Sequence, residues 1–123
     1  MNTALWIIAG LLAVAFSYSG GSKLVGGKAK VAANPQMGWA EDFTDRGIRG
    51  IGLMELLGGL GLLLPPVFQL WEFLTPLAGF GLTAVMAGAV VTHQRRNEAF
   101  IPALVLGALA LFVAVGRLWI APF

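Results

Sequence analysis

The residue with the clearest chemical potential is Glu55, a carboxylate near the middle of the apolar stretch Arg49–Pro66. A carboxylate inside a membrane span costs about 3 kcal/mol on insertion scales, so we expect this side chain to face a helix bundle rather than lipid. At about 1.5 Å per residue, it lies roughly 10 Å from one end of its span, a depth comparable to that of Tyr18. Lys23 stands at the end of the first span and can extend inward, and Thr92 or His93 of the third span is expected nearby. We therefore predict a polar cluster of Tyr18, Lys23 and Glu55 that binds a lipid headgroup, a quinone or a proton. The alternative is an interhelical contact that only sets the register of two helices.

Two further residues, His93 and Arg117, are secondary candidates. His93 stands beside two arginines at a predicted helix end, which is typical of a solvated cap or a pH-sensitive surface group. Arg117 lies near the end of the last apolar segment, and we expect it to reach phosphate headgroups. One histidine and no cysteine cannot supply a bis-histidine haem or a Cys/His zinc site, so no metal centre is predicted. No phosphate-binding loop, nucleophile elbow or acid–base pair is present, and catalysis by this chain alone is not expected.

The composition places these residues in a membrane protein. Hydrophobic residues make up 58% of the 123 residues and charged residues 11%, which leaves too few polar side chains to cover a soluble domain of this size. The length predicts a single domain over residues 1–123. The formal charge of +2 is small and spread over loops, so nucleic-acid binding is not indicated. The absence of cysteine excludes disulfides within the chain.

Four apolar segments have about the length needed to cross a bilayer. Since irregular backbone is not tolerated in contact with lipid, all four are predicted to be helices. We interpret the first as a retained span, because it has no basic region before it. The double proline at 65 and 66 is expected to close the second helix. The segments are Ala4–Ser22, Ile48–Leu64, Trp71–Thr92 and Phe100–Ile120.

Glycine is concentrated in the second span, where it predicts close helix packing. At 100° per residue, Gly52 and Gly59 share a face with Glu55, whereas Gly58 and Gly61 lie on the opposite face. Small residues on both faces let neighbouring helices approach from both sides. Similar small-residue stripes occur in the other three spans. We therefore predict an all-α integral membrane protein with four transmembrane helices in a compact bundle, the second of them central.

The longest connection, residues 23–47, places Trp39 and Phe43 four positions apart. This spacing fits a short amphipathic helix on the membrane surface, but a solvated loop with one tryptophan anchor fits equally well. Most lysines and arginines lie in or beside the first and third loops, so the positive-inside rule predicts that these loops are cytoplasmic and both termini outside.

The end of the first span, FSYSGGSKL, and the second span, GIRGIGLMELLGGLGLLLP, resemble the DoxX family and DoxX-like proteins. The most specific pieces are the G-x-x-K-L motif, here Gly20, Lys23 and Leu24, and the glycine-rich span around Glu55. The resemblance implies a small four-helix protein of the bacterial plasma membrane. Family members are associated with quinol-oxidising or thiosulfate–quinone systems and with redox-defence assemblies, and others with assembly or trafficking of membrane proteins. The family has no settled catalytic residues, so Lys23 and Glu55 carry over as motif positions only.

Three functions remain open from the sequence. The first is a non-catalytic accessory subunit, or a binding partner for a quinone or lipid headgroup, in a membrane redox complex. The second is an assembly or interaction factor that contacts other membrane-protein subunits through its glycine-rich faces, and a homo-oligomer is also left open. The third is a small proton-coupled transporter, which ranks last because small multidrug-resistance proteins carry their essential glutamate in the first span, not the second.

Overall fold

The computed structural model describes the backbone of residues 1–123 and every side chain except that of Gln36. It contains four long α-helices, and a short 3₁₀ helix, Pro35–Asp42, lies between the first two. All four are long and apolar enough to cross a membrane, and the described backbone has no strand, so the predicted fold class is confirmed. The helices are α1 (Asn2–Ala32), α2 (Asp45–Phe68), α3 (Leu74–Arg95) and α4 (Ile101–Val115), the last extended by a π-helical turn, Gly116–Ile120.

Helix α1 is longer than its predicted span because it continues through a kink at Gly27. The backbone there has φ 62° and ψ −159°, a conformation that favours glycine. Two residues at the start of α2 satisfy the backbone groups around the kink. Asp45 accepts a hydrogen bond from the backbone N–H of Lys28 at 2.9 Å, and Arg49 donates to the Leu24 carbonyl at 2.7 Å. The kink therefore joins the end of α1 to the beginning of α2.

Helix α2 also passes the point where it was predicted to end. It continues through Pro65 and Pro66 to Phe68, so that prediction was wrong. A proline has no N–H to donate to the carbonyl four residues earlier, which leaves the carbonyls of Gly61 and Leu62 without their helical donors. The hydroxyl of Thr75, on α3, donates to the Gly61 carbonyl at 3.1 Å and lies 3.5 Å from the Leu62 carbonyl oxygen. A side chain from the next helix thus replaces the missing hydrogen bonds.

The glycines of α2 allow it to pack between α1 and α3, as predicted. A Cβ at Gly52 would lie 2.6 Å from the carbonyl oxygen of Gly20, and a Cβ at Gly59 would lie 3.1 Å from that of Ala13. On the opposite face, Gly58 and Gly61 pack against side chains of α3, namely Leu82 and Ala78. Helix α3 packs in turn on α4. The main apolar core lies among all four helices and includes Phe16, Leu62, Leu82 and Val113.

The first connection holds a short helix, one of the two structures predicted for it, but this helix is 3₁₀ rather than α. Its aromatic side chains are not those of a solvated loop. Trp39 and Phe43 pack against a second small core of Val31, Ala40 and Ile48, with their rings in edge contact at 5.7 Å. This core holds the segment over one end of the helix bundle, which we call the loop-1 end.

Candidate functional site

The polar centre of the bundle is an ion pair between Lys23 of α1 and Glu55 of α2. Glu55 is only 2% exposed. The Lys23 ammonium group donates to Glu55 Oε1 at 2.5 Å and to Ser19 Oγ at 2.7 Å. Ser19 Oγ in turn donates to Glu55 Oε2 at 3.2 Å. Both carboxylate oxygens are therefore hydrogen bonded, which is what a buried charge requires.

Two glycines explain why the ion pair forms at this place. Gly20 precedes Lys23 by three residues, and Gly52 precedes Glu55 by three residues, so each glycine lies on the same side of its helix as the charged residue. A Cβ at Gly52 would also lie 2.8 Å from the backbone nitrogen of Leu24, which leaves no room for a side chain between the helices. The closest approach of α1 and α2 thus lies beside the ion pair.

Tyr18 does not belong to this cluster, contrary to the prediction that it would lie beside Lys23 and Glu55. Its side chain is 80% exposed on the outside of the bundle. On a helix, Ser19 and Lys23 are four residues apart and share a face, whereas Tyr18 lies 100° away from Ser19. Ser19 takes the position that had been assigned to Tyr18. The spacing of Ser19 and Lys23 could have identified it from the sequence.

A cavity of about 460 Å³ lies beside the ion pair at the loop-1 end of the bundle. Lys23, Glu55 and Ser19 form a polar part of its wall. Apolar side chains of α2, α3 and α4 form most of the rest, and the 3₁₀ segment adds Trp39. These apolar side chains include Ile51, Met54, Val85, Met86 and Leu106. The cavity is therefore mainly apolar, with a localised hydrogen-bonding group.

His93, in the last turn of α3, lines the same cavity, close to the Glu55 cluster as expected for a residue at this end of the third span. Its Nδ1 lies 3.0 Å from Glu98 Oε1, and its ring makes an edge contact with Trp39 at 6.4 Å between centroids. The Lys23 ammonium lies 5.7 Å from the centroid of the Trp39 ring. Trp39 is thus near both Lys23 and His93.

Arg96 links the 3₁₀ segment to the turn between α3 and α4 through hydrogen bonds. Its guanidinium donates to Glu98 at 3.0 Å and to Asp42 at 2.9 Å, and it also reaches Glu41 at 3.5 Å. The hydrogen bond to Glu98 raises the pKa of Arg96, and the hydrogen bonds from Arg96 and then His93 lower the pKa of Glu98. These charges keep the wall that carries Trp39 in place over the cavity.

Arg117 lies outside the site and does not reach headgroups as predicted. It is 4% exposed in the π-helical turn at the opposite end of α4. Its Nη1 donates to Asn2 Oδ1 at 2.6 Å and to the Ala121 carbonyl at 3.0 Å, and its guanidinium packs 4.1 Å from the centroid of the Phe123 ring. Arg117 therefore joins the two ends of the chain to each other.

The side chains of the site offer both hydrogen-bonding groups and apolar surface. Among the side chains that the structure describes, no three histidine, aspartate or glutamate residues converge in a way that could hold a metal ion. What the arrangement provides is an ammonium donor, neutralised by a carboxylate, at the edge of an apolar chamber.

Residues 7–116 match the DoxX-like family. The chain belongs to the DoxX-like family. The matched region contains every residue of the cavity, whereas Arg117 falls just beyond it. No curated protein and no solved structure is significantly similar to this DoxX-like protein.

Proposed function

We propose that this DoxX-like protein binds a membrane-soluble amphiphile whose headgroup lies beside Lys23, and that this ligand is a quinone. In this proposal the protein serves as a non-catalytic accessory subunit of a membrane redox complex. The observation that supports this function is the mainly apolar cavity of about 460 Å³ whose wall includes the buried Lys23–Glu55 ion pair. Small-molecule sites in proteins have volumes of about 300–1,000 Å³ and are mostly apolar with a few placed polar groups.

The chemistry of the ion pair favours a neutral acceptor. An ammonium group has three N–H donors, and Lys23 uses two of them on Ser19 and Glu55. The third can donate to a ligand in the cavity that Lys23 lines. Because Glu55 cancels the charge of Lys23, a phosphate would meet a carboxylate as well as an ammonium. A quinone carbonyl accepts a hydrogen bond without bringing a charge, and its ring can pack against Trp39.

The accessory role follows from what the chain contributes to such a ligand. The residues around the cavity can hold a headgroup and exclude water from it. The sequence contains no cysteine, so a thiol–disulfide step would come from a partner. We therefore place electron transfer in a neighbouring subunit and the holding of the quinone in this one.

The alternative function, assembly of other membrane proteins through glycine-rich faces, receives less support from the packing. Gly58 and Gly61 contact Leu82 and Ala78 of the same chain, so these two glycines are used within the bundle.

A substitution that fills the cavity tests the proposed function. Gly88 lines the cavity, and no atom of another helix lies within 4 Å of the place where its Cβ would be, so Gly88→Leu can begin its side chain in open space beside the cavity. We expect binding of a short-chain benzoquinone to weaken by about tenfold or more, since a filled pocket excludes the ligand. The measurement is a titration of the purified protein in mild detergent, followed by microscale thermophoresis.

The matched control is Gly10→Leu. Gly10 also lies in a membrane-spanning helix with nothing within 4 Å of its Cβ position, but it lines neither described cavity. Its quinone affinity should equal that of the unmodified protein. Equal affinities for Gly88→Leu and Gly10→Leu would refute binding in this cavity. Mass spectrometry of lipids and proteins that purify with the chain from native membranes tests the redox complex itself.

A further inference from the structure

A second, entirely apolar groove runs along the outside of the bundle between α2 and α3. It has a volume of about 330 Å³. Its lining residues extend along α2 from Met54 to Gly61 and along α3 from Leu74 to Val85, and all of them are apolar. Exposed side chains such as Met54 and Leu77 form its rim, so the groove opens toward the surroundings of the bundle.

The groove adjoins the cavity beside Lys23, which we call the headgroup cavity. Met54 and Val85 line both spaces, one on each of the two helices. A molecule that occupies the cavity beside Lys23 can therefore extend past these two residues into the groove without leaving the protein surface. The polar group lies at one end of this path and the apolar groove at the other, which is the polarity of an amphiphile.

We propose that this groove holds the single hydrocarbon tail of the ligand whose headgroup occupies the cavity. The inference rests on the proposed function and extends it to the substrate class: a one-tailed, membrane-soluble amphiphile with an uncharged hydrogen-bond acceptor in its head. Such a ligand enters sideways from the bilayer between α2 and α3 rather than from water.

The dimensions of the groove match one tail. The eleven-residue interval from Leu74 to Val85 corresponds to roughly 16 Å of helix. A water-sized group occupies ~30 Å³, so the 330 Å³ groove has room for about ten methylene groups. One chain of this length fits, whereas two parallel tails of a phospholipid do not.

Missing side chains keep the groove open. Gly81 lies on α3 in the groove, and no atom comes within 4 Å of the place where its Cβ would be. Gly58 and Gly61 also line the groove and let α2 approach Leu82 and Ala78 of α3. A leucine at position 81 would project into the path of the tail and leave the headgroup cavity unchanged.

The test compares two quinones with the same head, one with a decyl chain and one with a methyl group in its place. Both are titrated into the full chain in micelles of constant composition. For Gly81→Leu, we expect the Kd of the decyl quinone to rise about tenfold, because the leucine side chain takes the space of the tail. The Kd of the methyl quinone should stay within about twofold of its value for the unmodified protein. Gly81→Ala, which adds one methyl group, should give a smaller change in the same direction. It replaces the leucine variant if that protein does not fold.

The outcomes separate the groove from the cavity. A decyl quinone that binds Gly81→Leu, Gly81→Ala and Gly10→Leu equally well overturns the tail site, while the Gly88→Leu result continues to report on the headgroup. An equal loss of both quinones in Gly81→Leu overturns it as well, because the substitution then acts on the head or the fold. If the methyl quinone does not bind the unmodified protein at all, the proposed function fails and the tail site fails with it.

Discussion

The ion pair between Lys23 and Glu55 predicts a strong energetic coupling between α1 and α2. The two side chains are 13% and 3% exposed, so neither charge can be left to solvent when its partner is removed. Removing one partner of a buried pair costs about 3–5 kcal/mol, because the remaining charge stays buried without compensation. We expect the lower end of that range here, since polar groups in an unfolded membrane protein also find partners.

The perturbation is a double-mutant cycle with Lys23→Met and Glu55→Gln, which both keep the approximate shape of the side chain. Each single substitution should lower the free energy of unfolding by about 3 kcal/mol, or roughly a hundredfold in the equilibrium constant. The double variant leaves no buried charge, so its loss should be smaller than the sum of the two by about 2 kcal/mol or more. The assay is reversible unfolding in mixed micelles with increasing SDS, followed by circular dichroism.

An exposed ion pair in the same protein serves as the control. Asp45 and Arg49 are separated by 2.9 Å but have exposures of 56% and 43%. Solvent screens such a pair, so the cycle Asp45→Asn with Arg49→Met should show much weaker coupling than that of the buried pair. Additive effects of Lys23→Met and Glu55→Gln would contradict the reasoning, because they would mean that the two charges do not depend on each other.

Two further predictions concern helix packing and pH. Gly52→Ala should destabilise the bundle by about 1–3 kcal/mol in the same assay, because the new methyl group would lie too close to the Gly20 carbonyl oxygen. The control is Gly50→Ala, which has open space around it and should be neutral or slightly stabilising. The hydrogen bond from Arg96 lowers the pKa of Glu98 in the folded protein. The ionised Glu98 carboxylate therefore stabilises the fold fully above its unfolded pKa of ~4.3, and this stabilisation is lost as the pH falls through the folded pKa. Thermal unfolding from pH 7 to pH 3 should therefore show a smaller loss of stability at acid pH in Arg96→Gln than in the unmodified protein. An identical pH dependence in both proteins would exclude this contribution.

Periodicity determined the parts of the structure that depend on one helix at a time. A run of about twenty apolar residues has one stable conformation in a bilayer, since only a helix satisfies its backbone there. The angular positions of Gly52, Glu55 and Gly59 were therefore set by the sequence, and with them the face that meets α1. Helical periodicity could also have identified Ser19, because residues four positions apart share a face of the helix. Ser19 therefore lies on the face of Lys23, whereas Tyr18 does not.

Contacts between helices decided the rest. Whether α2 ends at Pro65 depended on Thr75, a residue of another helix that donates to the carbonyls the prolines leave free. The partners of Arg117 lie at the two ends of the chain, and nothing in the local sequence joins them.

The sequence by itself determined a membrane protein with four spans and a central glycine-rich helix, and it predicted a polar cluster around Glu55 without fixing its partner. Only the tertiary structure decided that a cavity lies beside Lys23 and Glu55, that Trp39 and His93 form part of its wall, and that an apolar groove adjoins it. The physical reason is that a cavity consists of the space several elements leave between them. Each helix carries its own pattern of small and large side chains, but the volume between helices exists only once their distances and angles are set.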